Sequence, residues 1–382
     1  MTRQTGLAVA LKGVAITALL TQACVAASVS VTSADFGKTP QGDSIKQYTL
    51  TNENGMSVSI ISYGGIIQSV KVPTGEGKTE DMVLGYDDLS GYVSDTNFYG
   101  ALIGRYGNRI AKGKFTLNGE SFELETNNNE NHLHGGNKGF HKQVWESSSF
   151  KNASEAGVTL THISPDGAGG YPGELDVTAT YTLNNDNELT LTFDATTTKP
   201  TPVNLTNHAY FNLAGGGTIT DHQLKINAKH FTPVKKGLIP TGELKPVAGT
   251  PFDFTEFTAI GERIDADNEQ LALGKGYDHN WVVDKSAAGT MQTLAILKDP
   301  ASGRTLEIES TEPAIQFYSG NFMDGSVTGK GGESYQFRTA LCLEPQHFPD
   351  SPNQPDFPST ILNPGDDYTS KIVYRFSSNT GK

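Results

Sequence analysis

Five short stretches of the sequence concentrate side chains that can move protons or hold polar groups. Asn204-Leu205-Thr206-Asn207-His208-Ala209-Tyr210-Phe211-Asn212-Leu213 puts three asparagines, a threonine, a histidine and a tyrosine into ten residues. In an extended chain Asn204, Thr206, His208 and Tyr210 would share one face and Leu205, Asn207, Ala209 and Phe211 the other. Such polar density argues against a core strand, although a lone histidine is commonly a hydrogen-bonded structural residue. Leu341-Cys342-Leu343-Glu344-Pro345-Gln346 sets Glu344 among apolar neighbours, where desolvation raises a carboxyl pKa and suits it to general-base work. The competing reading there is a structural salt bridge. Gly104-Arg105-Tyr106-Gly107-Asn108-Arg109-Ile110 and Asn131-His132-Leu133-His134-Gly135-Gly136 place glycines beside Arg and His. The backbone can then bend close to a ligand, and an arginine offers a fork of donors to hydroxyl pairs or carboxylates. Tyr277-Asp278-His279-Asn280 puts a carboxylate at the end of a Gly-rich turn.

Other chemistries lack their signatures. The chain has no G-x-S-x-G elbow, no Walker A sequence and no G-x-G-x-x-G between a strand and a helix, so no nucleotide cradle is visible. His132 and His134, two apart in a strand, would face one side and could begin a metal site. No third ligand stands at useful spacing, and His141 reads as a surface residue. With 29 Lys+Arg against 42 Asp+Glu the net charge is −13, and there is no Lys/Arg block. That balance argues against nucleic acid or an anionic membrane surface as partner.

The elements that must position these residues read as strands. Charged residues are only 19% of the chain, with 42 Gly and 18 Pro, a composition of turns and sheets rather than of a helical bundle. Ser57 to Pro73, Gly157 to Ser164, Leu175 to Leu183, Glu188 to Thr197 and Lys371 to Phe376 alternate apolar with polar. Asn184-Asn185-Asp186-Asn187 predicts the turn of a hairpin. Phe254 to Asp267 is the best candidate for a short helix. Many closely spaced strands without crossover helices predict an all-β fold, a large antiparallel β-sandwich with few short helices.

The N-terminus is expected to lie outside that fold. Arg3 and Lys12 flank and precede an apolar stretch, Gly13 to Ala27, that ends in small residues, and no acidic residue precedes Asp35. This predicts a secretory signal peptide over residues 1–27 and one domain over 28–382, hence an exported protein, periplasmic or secreted. Thr17, Thr21 and Gln22 interrupt a run already shorter than the roughly 20 residues of a spanning helix, so no membrane association is expected once it is removed. Cleavage after Ala34 is an alternative, and Cys24 after Ala23 matches lipoprotein processing more weakly. The mature chain would keep Cys342 alone, which excludes an intramolecular disulfide and a Cys/His zinc spacing.

Five ordered motifs carry a family resemblance. Leu133-His134-Gly135-Gly136, Ser164-Pro165-Asp166-Gly167 followed by Gly170-Tyr171-Pro172-Gly173, the decapeptide Asn204 to Leu213, Gln316-Phe317-Tyr318-Ser319-Gly320-Asn321, and Phe348 to Tyr368 resemble the aldose 1-epimerase (galactose mutarotase) family. The resemblance runs from about residue 35 to the C-terminus. It implies a large β-sandwich with the sugar held in an open cleft on one sheet. It implies His208 as general acid and Glu344 as general base. It also implies sugar contacts from Asn108 and Arg109, in the N-R-I-A-K-G segment, and from His134, Asp278 and Gln316, with Tyr210 lining the cleft. Tyr106 stands where relatives often have a small aliphatic residue, which would bear on the cleft rim.

The implied reaction is interconversion of the α and β anomers of a free aldose, the small-molecule partner. It needs one base for the C1 hydroxyl and one acid for the ring oxygen, followed by rotation about C1–C2 and re-closure, and it requires neither cofactor nor metal. Three rivals stay open. A lectin would share fold and cleft without anomerisation, and a glycoside hydrolase could use Asp278 and Glu344 as its two carboxylates. An epimerase of hexose 6-phosphates would want a basic cluster that the sequence does not add. The preferred aldose and the oligomeric state are left open.

Overall fold

Alternation of apolar and polar residues becomes strand almost wherever the sequence shows it. The computed structural model describes residues 1–2, 28–75, 78–284 and 289–378. The signal peptide expected over residues 1–27 therefore lies, beyond its first two residues, outside the described residues. Among the described residues no helix is long and apolar enough to cross a membrane.

Three larger sheets, all antiparallel, carry the fold. One has nine strands in the order Glu146–Lys151, Glu155–Ser164, Leu175–Asn184, Glu188–Thr197, Tyr368–Ser378, Arg304–Ser310, Gln292–Asp299, Gln223–Ile226 and Thr258–Ala259. A five-stranded meander runs through Ser30–Lys38, Ser44–Thr51, Ser57–Ile61, Ile66–Gly75 and Lys78–Asp81. The third has six strands in the order Tyr210–Phe211, Leu341–Gln346, Ala314–Tyr318, Asp278–Val283, Ala228–Thr232 and Lys245–Pro246. Val58 and Val70 of the meander, Val177, Tyr181, Leu191 and Phe193 of the nine-stranded sheet, and Trp281, Ile315, Phe317 and Leu343 of the six-stranded sheet belong to one continuous apolar core. Each such side chain contributes about 1.5–3 kcal/mol by leaving water. The expected hairpin forms: Leu183 pairs with Leu189 across the turn, the Asn184 side chain accepts from the amides of Asp186 and Glu188, and Asn187 takes a positive φ of 60°.

Two expectations need correction. Ser57 to Pro73, read as one segment, is a pair of strands folded back at Gly64 and Gly65, both at positive φ. A Cβ on Gly64 would stand 2.6 Å from the His141 carbonyl oxygen, so only glycine fits. Phe254 to Asp267 is not a helix. It contributes the edge strand Thr258–Ala259 and a single 3-10 turn, Ile260–Glu262. The amides of Ile260 and Gly261 bond to the carbonyls of His222 and Thr220, so sheet pairing rather than a helical period brings Phe254, Ile260 and Ile264 into the core. The α-helices among the described residues are Leu89–Ser94, capped by the Asp88 side chain, and Glu269–Gly274, capped by Asn268.

Candidate active site

Strand period and register build the floor of the site. In the six-stranded sheet Ile315, Phe317, Leu341, Leu343 and Phe211 point into the core, so Gln316, Tyr318, Cys342, Glu344 and Tyr210 occupy the opposite face. Antiparallel pairing sets them side by side: Gln316 opposite Glu344, Tyr318 opposite Cys342 and Asp278, and Tyr210 opposite Cys342. Asp278 is placed by the turn after Glu269–Gly274. Asn321 there donates to the carbonyls of Gly274 and Tyr277, and Gly276 is packed so close to Asn321 that a Cβ would overlap it. The stretch 204–211 splits the way alternation predicts: Leu205, Ala209 and Phe211 enter the core, while His208 and Tyr210 line the cleft. Yet every residue from Asn204 to Leu213 is buried. The polar density is not surface, because the asparagines are consumed internally: Asn204 binds the carbonyls of Gly107 and His347, and Asn207 binds that of Gly100 and the Tyr181 hydroxyl.

Loops supply the walls of a cleft of about 480 Å³. Phe98, Asn108, His134 and Leu238 line it, and all four take positive φ although none is glycine. Backbone held in this sparsely populated region clusters at functional sites. The Asn108 amide donates to Nδ1 of His134 at 3.1 Å, and the Asn108 side-chain oxygen accepts from the Arg109 amide at 2.9 Å. The Phe98 ring meets the rings of His134, His141 and His208 at centroid distances of 4.8, 4.7 and 5.8 Å. Tyr210 is pinned through its hydroxyl to the Asn97 carbonyl at 2.9 Å.

At the centre, Nε2 of His208 lies 3.7 Å from Oε1 of Glu344, both side chains almost wholly buried. Burial pushes the Glu344 carboxyl well above the ordinary range; the Asp278 carboxylate adds to this and Arg109 opposes it. Burial also pushes His208 down to about 4; a backbone hydrogen bond opposes this and Arg109 adds to it. Burial thus favours the neutral form of each group, carboxyl and imidazole. Asp278 accepts from Gln316 at 2.7 Å and faces the Arg109 guanidinium at 3.8 Å. Burial raises its carboxyl, against the pull of Arg109 and Gln316. Among the described residues Arg109 is the one lysine or arginine lining the cleft.

Seven of the eight residues singled out in sequence line this cleft: Asn108, Arg109, His134, His208, Tyr210, Asp278 and Glu344. Gln316 is not among the lining residues, its amide nitrogen spent on Asp278 and its oxygen without a partner among the described residues. His132 and His134 do not share a face. The strand ends at Leu133 and His134 turns at positive φ, so His132 instead bonds the Tyr171 hydroxyl and the Glu125 carbonyl. His141 is buried, not on the surface. Tyr106 is also fully buried, its hydroxyl donating to the Phe348 carbonyl, and takes no part in the rim. Phe98, Leu238, Tyr318 and Phe322 also line the cleft and Cys342 touches His208, none of them singled out by its place in the sequence. Period-two spacing from Gln316 and Glu344 could have found Tyr318 and Cys342; Phe98 and Leu238 sit in irregular loops and leave no such signal.

His134, His208 and Glu344 bring three ligand-type atoms within 4.8 Å of one another, a third partner that spacing alone did not reveal. The surroundings of His134 do not suit a metal. A ligating imidazole donates its far N–H to an acceptor, whereas Nδ1 of His134 receives the Asn108 amide, which leaves the proton on Nε2. His134 is thereby a fixed hydrogen-bond donor facing the cleft.

A buried carboxyl and imidazole side by side, on an antiparallel sheet and ringed by amide, guanidinium and aromatic groups, define an acid–base enzyme for a small, hydroxyl-rich substrate. The comparisons agree in detail. The aldose 1-epimerase family profile matches residues 46–375. The chain is 42% identical over 351 residues to the galactose mutarotase of Rattus norvegicus, covering 91% of this chain and 99% of the relative. It is 38% identical over 340 residues to the aldose 1-epimerase of Escherichia coli K12, covering 88% and 96%. The crystal structure of a galactose 1-epimerase from Lactobacillus acidophilus superposes with a TM-score of 0.81 at 28% identity, over 92% of this chain and 99% of that one. The chain belongs to the aldose 1-epimerase family, isomerases that act on carbohydrates.

Proposed function

We propose that this protein interconverts the α and β anomers of free aldohexoses such as glucose and galactose, with Glu344 as base and His208 as acid. The observation that carries the reading is the 3.7 Å approach of Nε2 of His208 to Oε1 of Glu344 at the floor of a polar cleft. The hydroxyl and ring oxygens to be deprotonated and protonated are bonded to the same carbon, C1, so a closely spaced acid and base reach both. Ring opening starts from carboxylate and imidazolium, which hold the same single proton as the neutral resting pair, moved from Glu344 to His208. The carboxylate takes the C1 hydroxyl proton, His208 protonates the ring oxygen, and the C1–O5 bond breaks. After rotation about C1–C2 both transfers reverse on the other face of the aldehyde. His134, Arg109 and Asp278 hold the remaining hydroxyls, and Gln316 fixes Asp278. A cleft whose one arginine already faces Asp278 favours a neutral sugar over a sugar phosphate.

Optical rotation of freshly dissolved α-D-glucose and α-D-galactose tests the reading. Acceleration by the wild-type protein is expected, with Glu344→Gln and His208→Asn each lowering turnover by roughly 10²–10⁴. Sugar binding without acceleration would select the lectin reading, and release of reducing ends from an oligosaccharide the hydrolase reading. We further propose that residues 1–27 are an export signal and that 28–382 form one domain working outside the cytoplasm, in the periplasm or beyond. Recovery of intact residues 1–27 on protein retained in the cytoplasm would contradict this.

A further inference from the structure

Behind His208, on the side away from Glu344, stands Cys342. Its Sγ lies 3.5 Å from Nδ1 of His208, with both residues buried. The contact is built into the sheet, since Cys342 pairs with Tyr210, two residues on from His208. The ring's own backbone carbonyl lies within hydrogen-bonding reach as a second acceptor. With the reading of His208 as the acid as its footing, we propose that Cys342 is a positioning residue for ring opening: its sulfur accepts the Nδ1 proton of His208, so that Nε2 alone gains and gives up a proton.

A neutral imidazole carries one N–H. If that proton sat on Nε2, the nitrogen facing Glu344 could not take the carboxyl proton, and the carboxylate–imidazolium pair could not form in the cleft. With the proton held on Nδ1, Nε2 takes the Glu344 proton, passes it to the ring oxygen as C1–O5 breaks, and recovers it on closure. Burial, with the Glu344 and Asp278 carboxylates nearby, pushes the Cys342 thiol well up, so it stays a thiol. A neutral sulfur is a weak acceptor. It fixes the tautomer without stabilising the imidazolium as a carboxylate would, and the imidazolium stays acidic enough to protonate an ether-type oxygen. The other groups facing His208 are Glu344, Arg109, His134, His141 and Tyr210. Burial and Arg109 lower its pKa, against the hydrogen bond to its own backbone, which raises it.

Nitrogen-15 NMR of the His208 ring, identified by its loss in His208→Asn, is expected to show the Nδ1–H tautomer in the sugar-free wild-type protein. Cys342→Ala should lower kcat for glucose by about five-fold, the loss of one modest hydrogen bond. KM should stay unchanged and the acid limb of the pH profile should move down, because the imidazolium loses an acceptor. Cys342→Ser, which keeps an acceptor, should restore kcat and the profile. An Nε2–H tautomer in the wild type overturns the proposal, and so does a Cys342→Ala enzyme with wild-type kcat and pH profile. If the alanine variant does not fold, the wild-type tautomer still decides. Failure of the wild-type protein to accelerate mutarotation would strike the reading of His208 as acid, a separate result that leaves the tautomer measurement standing.

Discussion

Arg109 acts on each charged group of the site. Its positive charge holds down the carboxyls of Glu344 and Asp278 and makes protonation of His208 harder. In the proposed mechanism activity requires one proton on the Glu344–His208 pair, so it should fail at low pH when a second proton is taken up and at high pH when the last is lost. Removing the charge raises every one of these steps. Arg109→Gln should therefore move both limbs of the kcat/KM profile to higher pH, besides lowering kcat/KM through loss of the proposed sugar contact. Both limbs staying in place would show that the guanidinium is too well screened to tune the pair. At this scale the sequence was informative where residue type sits in a motif: His208, Glu344, His134, Asp278, Asn108 and Arg109 all converge on the cleft. It was silent where a residue matters only through its neighbours. Nothing in sequence sets the Phe98 ring against three histidines or the Cys342 sulfur behind one of them.

Among the elements, division of labour follows rigidity. His208, Glu344 and Asp278 stand on or beside sheet strands, while Phe98, Asn108 and His134 come from loops that need anchors. Lys142 is one anchor. Its ammonium donates to the carbonyls of Tyr92, Val93 and Asp95, which cap the end of Leu89–Ser94 and lead into the Phe98 loop. Lys142→Met keeps the aliphatic stem and removes all three bonds. It should cost about 1.5–3 kcal/mol of stability, the worth of hydrogen bonds to a charged group. In polarimetry it should raise KM for the sugar more than it lowers kcat, since the loop moves and the strands do not. A fall in kcat at unchanged KM would refute that division. Strands with clean alternation, such as Leu175–Asn184 and Glu188–Thr197, were legible because one face is buried and the other is not. Phe254 to Asp267 was misread for the complementary reason: its apolar residues are spaced for a helix, but their amides pair with the 220–222 segment.

For the molecule as a whole, buried histidines tie stability to pH. Burial pushes His208 down to about 4, His141 and His279 to about 3, and His134 well below the ordinary value. In the unfolded chain each titrates near 6.5. Below that value the unfolded state takes up protons that the folded state refuses. The stability is therefore fully present above about 6.5 and is lost as pH falls toward the folded-state values, by about 1.4 kcal/mol per pH unit for each such histidine. The raised carboxyls of Glu344 and Asp278 act with the opposite sign: they favour the fold at low pH and lose that contribution as pH rises through their folded-state values. The histidines outnumber them, so Tm should drop steeply between about pH 6.5 and about pH 4.5. His141 separates this effect from general acid unfolding. Its Nδ1 has no hydrogen-bond partner among the described residues and its ring packs on Phe98, so His141→Phe keeps an aromatic ring there and removes one proton site. Scanning calorimetry across that range should show the variant with a shallower fall in Tm than wild type. Parallel curves for the two proteins would mean that His141 titrates alike folded and unfolded and takes no part in the acid sensitivity.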